Sequence, residues 1–159
     1  MATVYFSAYK GRGYASKEDI HPDTHRQVER RCEALALAVT GYPVGRIATG
    51  VWKGAFEPSF VADHLDTSDA MTLAKAACVV FGQEAALVWR SQQVNATHAR
   101  LTVNALDAPA MLAHLAPDGY TLLADGRPVF IVDLATTVLL MPDGVAATLE
   151  YGAAEFITP

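Results

Sequence analysis

No apolar run in this chain is long enough to span a bilayer, so no membrane is expected among its partners. The opening stretch, Met1 to Gly13, lacks the basic start and apolar block of a signal peptide, and a cytoplasmic location is expected. Cysteine is scarce. Cys32 and Cys78 each fall on the apolar side of a helical stretch, which argues against a disulfide framework and for two buried thiols. The signatures of common chemistries are missing too. There is no G-x-S-x-G. The Lys10-Gly-Arg-Gly13 loop has no lysine-serine pair and no immediate helix, so it is not a phosphate loop. There is no internal repeat and no low-complexity segment.

What is present suits a single globular unit. The chain has 159 residues, 52% of them hydrophobic and 18% charged, enough to build a core and too few charges for disorder. The net charge is −5 but uneven. Residues 1–53 hold eight Lys/Arg against five Asp/Glu, and residues 54–159 hold four against twelve. An acidic chain is a poor match for nucleic acid, which is not expected as a partner. The polarity favours a protein partner or head-to-tail self-association.

The stretch from Val51 to Arg90 reads as strand, helix, strand, with a length that permits a parallel crossover. Val51–Val61 is extended. Thr67 or Ser68 is placed to cap the following helix, with Asp69 in its first turn. Met71, Ala74, Cys78 and Phe81 share one face, and Gly82 ends the helix. Ala85–Trp89 is a buried strand. Before this stretch, Thr3–Tyr9 alternates as a half-buried strand, and residues 19–40 form the longest helix, opened by Pro22 and capped or charged by Asp23. Tyr42–Thr49 connects.

After it, Ala99–Leu106 is a strand and Ala108–Leu115 a short helix. Asp125-Gly126 and Pro142-Asp-Gly144 each sit between apolar runs and mark two successive hairpins. The expected fold is α/β (α+β): a compact mixed sheet packed by two main helices, with a C-terminal antiparallel β meander. Residues 1–106 form the α/β core. Residues 107–159 add a short helix and the meander, packed on the core as one domain.

Three groups of residues are candidates for chemistry. His21, Asp23 and His25 form H-x-D-x-H, which on an extended segment would put three metal ligands on one side. Pro22 and the helix start argue against extension, so no metal and no cofactor are expected. Lys53, Glu57 and Ser59 alternate along one strand and would project from one face, where they would orient a phosphate or move a proton. Their plainer reading is a surface ion pair beside a polar strand residue. Gln83 and Glu84 follow the helix and would join that site; Gln83 is placed to donate to Glu57. His98 and His114 stand alone and read as structural or exposed.

Three blocks carry a resemblance: Phe6-Ser-Ala-Tyr9, Gly50-Val-Trp-Lys-Gly-Ala-Phe-Glu57-Pro-Ser-Phe60, and Ala70-Met-Thr-Leu-Ala-Lys-Ala-Ala-Cys-Val-Val-Phe-Gly-Gln83-Glu-Ala85. Over about residues 1–104 the chain resembles an uncharacterised family of small bacterial and phage proteins with E-P-S-F and F-G-Q-E-A blocks. The resemblance implies a fold and a phage or prophage association, and it implies no activity. Two functions follow as expectations. One is a soluble phage-type accessory protein that binds a macromolecular partner, such as a host or defence protein. The alternative is a small-ligand or nucleotide-handling enzyme with its site at the ends of the central strands, using Glu57, Ser59, Gln83 and Glu84.

Overall fold

The computed structural model describes residues 1–52, 54–115, 120–124, 126–137 and 141–159. The chain runs β1 (Ala2–Phe6), α1 (Pro22–Thr40), β2 (Arg46–Trp52), β3 (Ala55–Leu65), α2 (Thr67–Phe81) and β4 (Ala86–Ser91) through its first part. It continues with β5 (His98–Val103), α3 (Ala108–Leu115), β6 (Tyr120–Leu123), β7 (Pro128–Asp133) and β8 (Ala147–Ile157).

These eight strands close into one barrel, in the order β1-β3-β2-β6-β7-β5-β8-β4 and back to β1. Every pairing is antiparallel. The expected mixed sheet with an appended meander is therefore wrong. β3 and β4 do run in the same direction, but β1 lies between them and pairs antiparallel with both, a split β-α-β arrangement. The tail is not a layer on a finished core. β6 and β7 form the hairpin marked by Asp125-Gly126, and that hairpin sits between β2 and β5. β8 sits between β5 and β4. The other expected hairpin falls partly on residues 138–140, outside the described residues; its second arm, β8, takes β5 and β4 as neighbours.

Closure explains the burial pattern of β1. All five of its residues are buried, although Thr3 and Tyr5 alternate with Ala2, Val4 and Phe6. The apolar set packs beneath α1 and α2, in a core that includes Cys32, Ala36, Leu73, Ala77, Phe60 and Val88. Tyr5 belongs to a separate interior cluster with Ala48, Val61 and Trp89. The polar alternation expected to meet water meets the inside of a barrel instead. A third apolar cluster, around Leu101, Met111 and Phe130, packs α3 against the strands of the second half.

The expected single strand over Val51–Val61 is a hairpin. β2 pairs with β3 from Arg46↔Val61 to Trp52↔Ala55. Gly54 has φ +81°, a conformation that favours glycine. Helix starts also differ from expectation. Asp66, not Thr67 or Ser68, caps α2, its Oδ1 accepting from the Asp69 N–H at 2.7 Å. Replacing Asp66 with alanine is expected to cost about 1 kcal/mol. An unchanged thermal midpoint would show that the cap contributes nothing. Both cysteines are buried thiols, as expected, and Cys78 Sγ donates to the Ile157 carbonyl at 3.2 Å. No helix among the described residues is long and apolar enough to cross a membrane.

One part of the interior is filled by a polar network. Arg100 on β5 donates to both oxygens of Glu150 on β8, at 2.6 and 3.3 Å. It also donates to Tyr5 Oη at 3.1 Å and Thr3 Oγ1 at 3.2 Å, and its guanidinium lies 5.1 Å from the Trp89 ring centroid. Thr3 Oγ1 in turn donates to Asp63 Oδ1 at 3.0 Å, and Asp63 pairs with Arg46 at 2.9 Å. Burial works against the charge on Arg100, but Tyr5 and Glu150 outweigh it and push its pKa up.

Candidate functional site

Beside that network, with Tyr5 common to both, the interior opens into a cavity of about 790 Å3. β1 supplies Tyr5 and Ser7, β2 supplies Gly50 and Trp52, and β3 supplies Glu57 and Ser59. The second half of the barrel adds Thr121, Ile131, Asp133, His98 and Ala154. All strands thus reach it, with Leu87 standing for β4. The segment after β1, the β2–β3 hairpin and the α2–β4 connection also contribute to its lining. After β1, Tyr14 exchanges two backbone hydrogen bonds with Phe56, at 2.7 and 2.9 Å. Trp52 and Phe156, both in the lining, have ring centroids 5.2 Å apart.

The alternation along β3 positions the chemistry. Glu57 faces Gly50 across the β2–β3 ladder, and Ser59 faces Ala48. A side chain at position 50 would crowd this face, since a Cβ there would lie 2.5 Å from Ser59 Oγ. Among the described residues, neither the Glu57 carboxylate nor the Ser59 hydroxyl has a hydrogen bond or ion pair. Ser59 is nonetheless buried, and burial pushes the Glu57 pKa up. Lys53, the expected partner of Glu57, lies outside the described residues.

Gln83 lines the same cavity but does not bond Glu57. Its Nε2 donates to the Tyr9 carbonyl at 2.8 Å and to the Phe81 carbonyl at 3.4 Å, tying the end of α2 to the segment after β1. Glu84 also lines the cavity and is not free of partners. Four of the expected residues, Glu57, Ser59, Gln83 and Glu84, are thus brought together, inside a barrel rather than at the ends of an open sheet's strands. The sequence reading missed His98 and Asp133. They face each other across β5 and β7, and His98 Nδ1 accepts from the Ala154 N–H at 3.2 Å. Asp133 Oδ1 accepts from the Ala135 N–H at 2.9 Å.

The H-x-D-x-H group lies elsewhere. His21, not Asp23, caps α1, its Nδ1 accepting from the Asp23 N–H at 3.1 Å. Asp23 pairs with Arg26, and His25 lies in the first turn of the helix. Among the described residues no group of three or more His, Cys, Asp and Glu side chains is arranged to hold a metal.

The isolated carboxylate has a consequence for stability. With Glu57 raised above its ordinary 4.5 in the folded state, both folded and unfolded chains hold the proton well below that value. As pH rises past it, the unfolded chain ionises first and folding stability is lost. Glu57→Gln is therefore expected to raise the thermal midpoint at pH 7 by a few degrees, about 1 kcal/mol, and to leave it unchanged near pH 4. A midpoint that falls at pH 7 would mean that Glu57 has a stabilising partner. No protein-family model matches this chain, and no curated protein matches it.

Proposed function

We propose that this protein binds a small organic molecule inside its barrel. An eight-stranded barrel leaves an interior that side chains either fill or yield to one small ligand. Here one part is filled by the Arg100–Glu150 network, and the rest is a cavity within the size range of small-molecule sites. The observation that carries the reading is the pair of polar side chains on one face of β3, Glu57 and Ser59, that line this cavity with no partner among the described residues. Buried polar groups ordinarily have partners, and a ligand would supply them.

The test is titration with prodan, a neutral dye whose emission shifts to the blue in apolar surroundings. One saturable site is expected. Ala154→Trp, which fills the cavity from β8, should abolish binding while the protein still melts cooperatively; Ile131→Trp serves if the first variant does not fold. Absent or unsaturable binding, or binding that survives a folded filling variant, overturns the reading.

The expected binding of a macromolecular partner is a second proposal. It is supported by α2, whose outer side exposes Val79 and Val80 next to each other.

A further inference from the structure

The charge around the cavity narrows the ligand class. This step rests on the reading that the barrel interior is a small-molecule site. Three carboxylates line the cavity, on Glu57, Glu84 and Asp133, against one lysine among the described residues, Lys10. Asp133 is held by the Ala135 N–H, and Glu84 is engaged by its neighbours. Glu57 is the carboxylate left to meet a ligand, with the Ser59 hydroxyl two residues along the same face of β3. The lining also carries the apolar and aromatic side chains of Leu87, Val129, Ile131 and the Trp52–Phe156 pair, beside the uncharged polar Ser7 and Thr121.

An anionic ligand would meet like charge from the lining carboxylates. A neutral one would leave Glu57 without a counter-charge whenever it ionised. A cation resolves both, because an ammonium group donates only, and the groups awaiting partners are a carboxylate and a hydroxyl that accept. Aromatic ring faces also attract cations, and Trp is the strongest of them. The acidic balance of residues 54–159, which supply most of the lining, draws cations toward the opening. We propose that the barrel takes an organic amine, whose ammonium nitrogen bonds the Glu57 carboxylate and the Ser59 hydroxyl while its apolar body packs against Leu87, Val129 and Ile131.

Calorimetric titration with three probes that share one ring and differ in head group tests this: 1-naphthylmethylamine, 1-naphthylmethanol and 1-naphthoate. The amine is expected to bind at least about tenfold tighter than the alcohol, and the carboxylate more weakly than either. Glu57→Gln should remove the amine's advantage and leave the alcohol's affinity in place. Ser59→Ala should weaken the amine by a smaller factor, on the order of threefold to tenfold. Equal affinities for all three probes, a preference for the carboxylate, or an amine advantage that persists in Glu57→Gln would each overturn the inference. In those cases the alcohol still binds, and the barrel remains a small-molecule site. If no probe binds, the cavity reading itself fails and takes the amine with it.

Discussion

Replacing Gly152 with valine is expected to unfold the barrel. Gly152 lies on β8 opposite Ser91 of β4 and His98 of β5, so it sits where the strand joins both neighbours. A Cβ at this position would stand 2.2 Å from the Arg90 carbonyl oxygen and 2.6 Å from Trp89 Cζ2. Neither can give way cheaply. The carbonyl is part of the β4 backbone paired with β8. Trp89 is 1% exposed, and its Nε1 donates to Glu150 at 3.3 Å. Relief requires β4 and β8 to separate. Overpacking of a tight core site costs about 1–3 kcal/mol, and valine against backbone belongs above the upper end of that range. Gly152→Ala should show the same sign with a smaller size. Denaturant midpoints measure both, and a wild-type midpoint for the valine variant would show that this joint has slack.

Arg100→Met is expected to lose about 1–2 kcal/mol, for a different reason. The substitution keeps much of the side-chain volume but removes donors to Glu150, Tyr5 and Thr3 together. Glu150 would keep Trp89 Nε1 and Ser91 Oγ as donors while losing its counter-charge. Arg100 is 21% and Glu150 39% exposed, so removing one member leaves a partly buried charge without its counter-charge, a cost that removing both avoids. The double variant Arg100→Met with Glu150→Met should therefore be more stable than Arg100→Met alone. The check is a double-mutant cycle on unfolding free energies. A double variant no better than the single one would mean that Glu150 is well solvated and that the network does not hold the interior together.

The elements of this chain are more legible in its sequence than their arrangement. Local signals found α2 with its Gly82 end, α3 from Ala108 to Leu115, and the Asp125-Gly126 hairpin. The β2–β3 hairpin is hidden because the sequence between Trp52 and Ala55 lacks the Asn-Gly or Asp-Gly pair that marks such turns, so two strands read as one. Polar alternation in β1 pointed to water, since nothing local distinguishes a wet face from the interior of a barrel. Closure itself has no local signal. It joins Ala2 to Arg90, Ala86 to Ile157 and Gly50 to Thr121.

The same contrast holds for the site. Glu57 and Ser59 were found by period-two spacing, which is a local property. Gln83 lines the same cavity but donates to the Tyr9 carbonyl rather than to Glu57, and that carbonyl belongs to a segment 74 residues away. His98 and Asp133 looked ordinary, since only closure brings β5 and β7 to the wall of the cavity that β3 begins.

The position of β8 shapes how the chain folds as it is made. β1, β3, β2 and β4, with both helices, are complete at residue 91, but β4 gains its second neighbour only when residues 152–157 arrive. At ordinary rates of synthesis those 66 residues take on the order of 3–13 s to add. Through that interval the half-built sheet has its apolar face under α1 and α2, and its other face is turned to the solvent. That face carries Thr3, Tyr5, Arg46, Glu57, Ser59 and Asp63 beside Ala48, Val61, Leu87 and Trp89. If the half-sheet forms before β8 arrives, the polar residues that later line a cavity and an ion-pair network would first interrupt the apolar ones on a face still open to water.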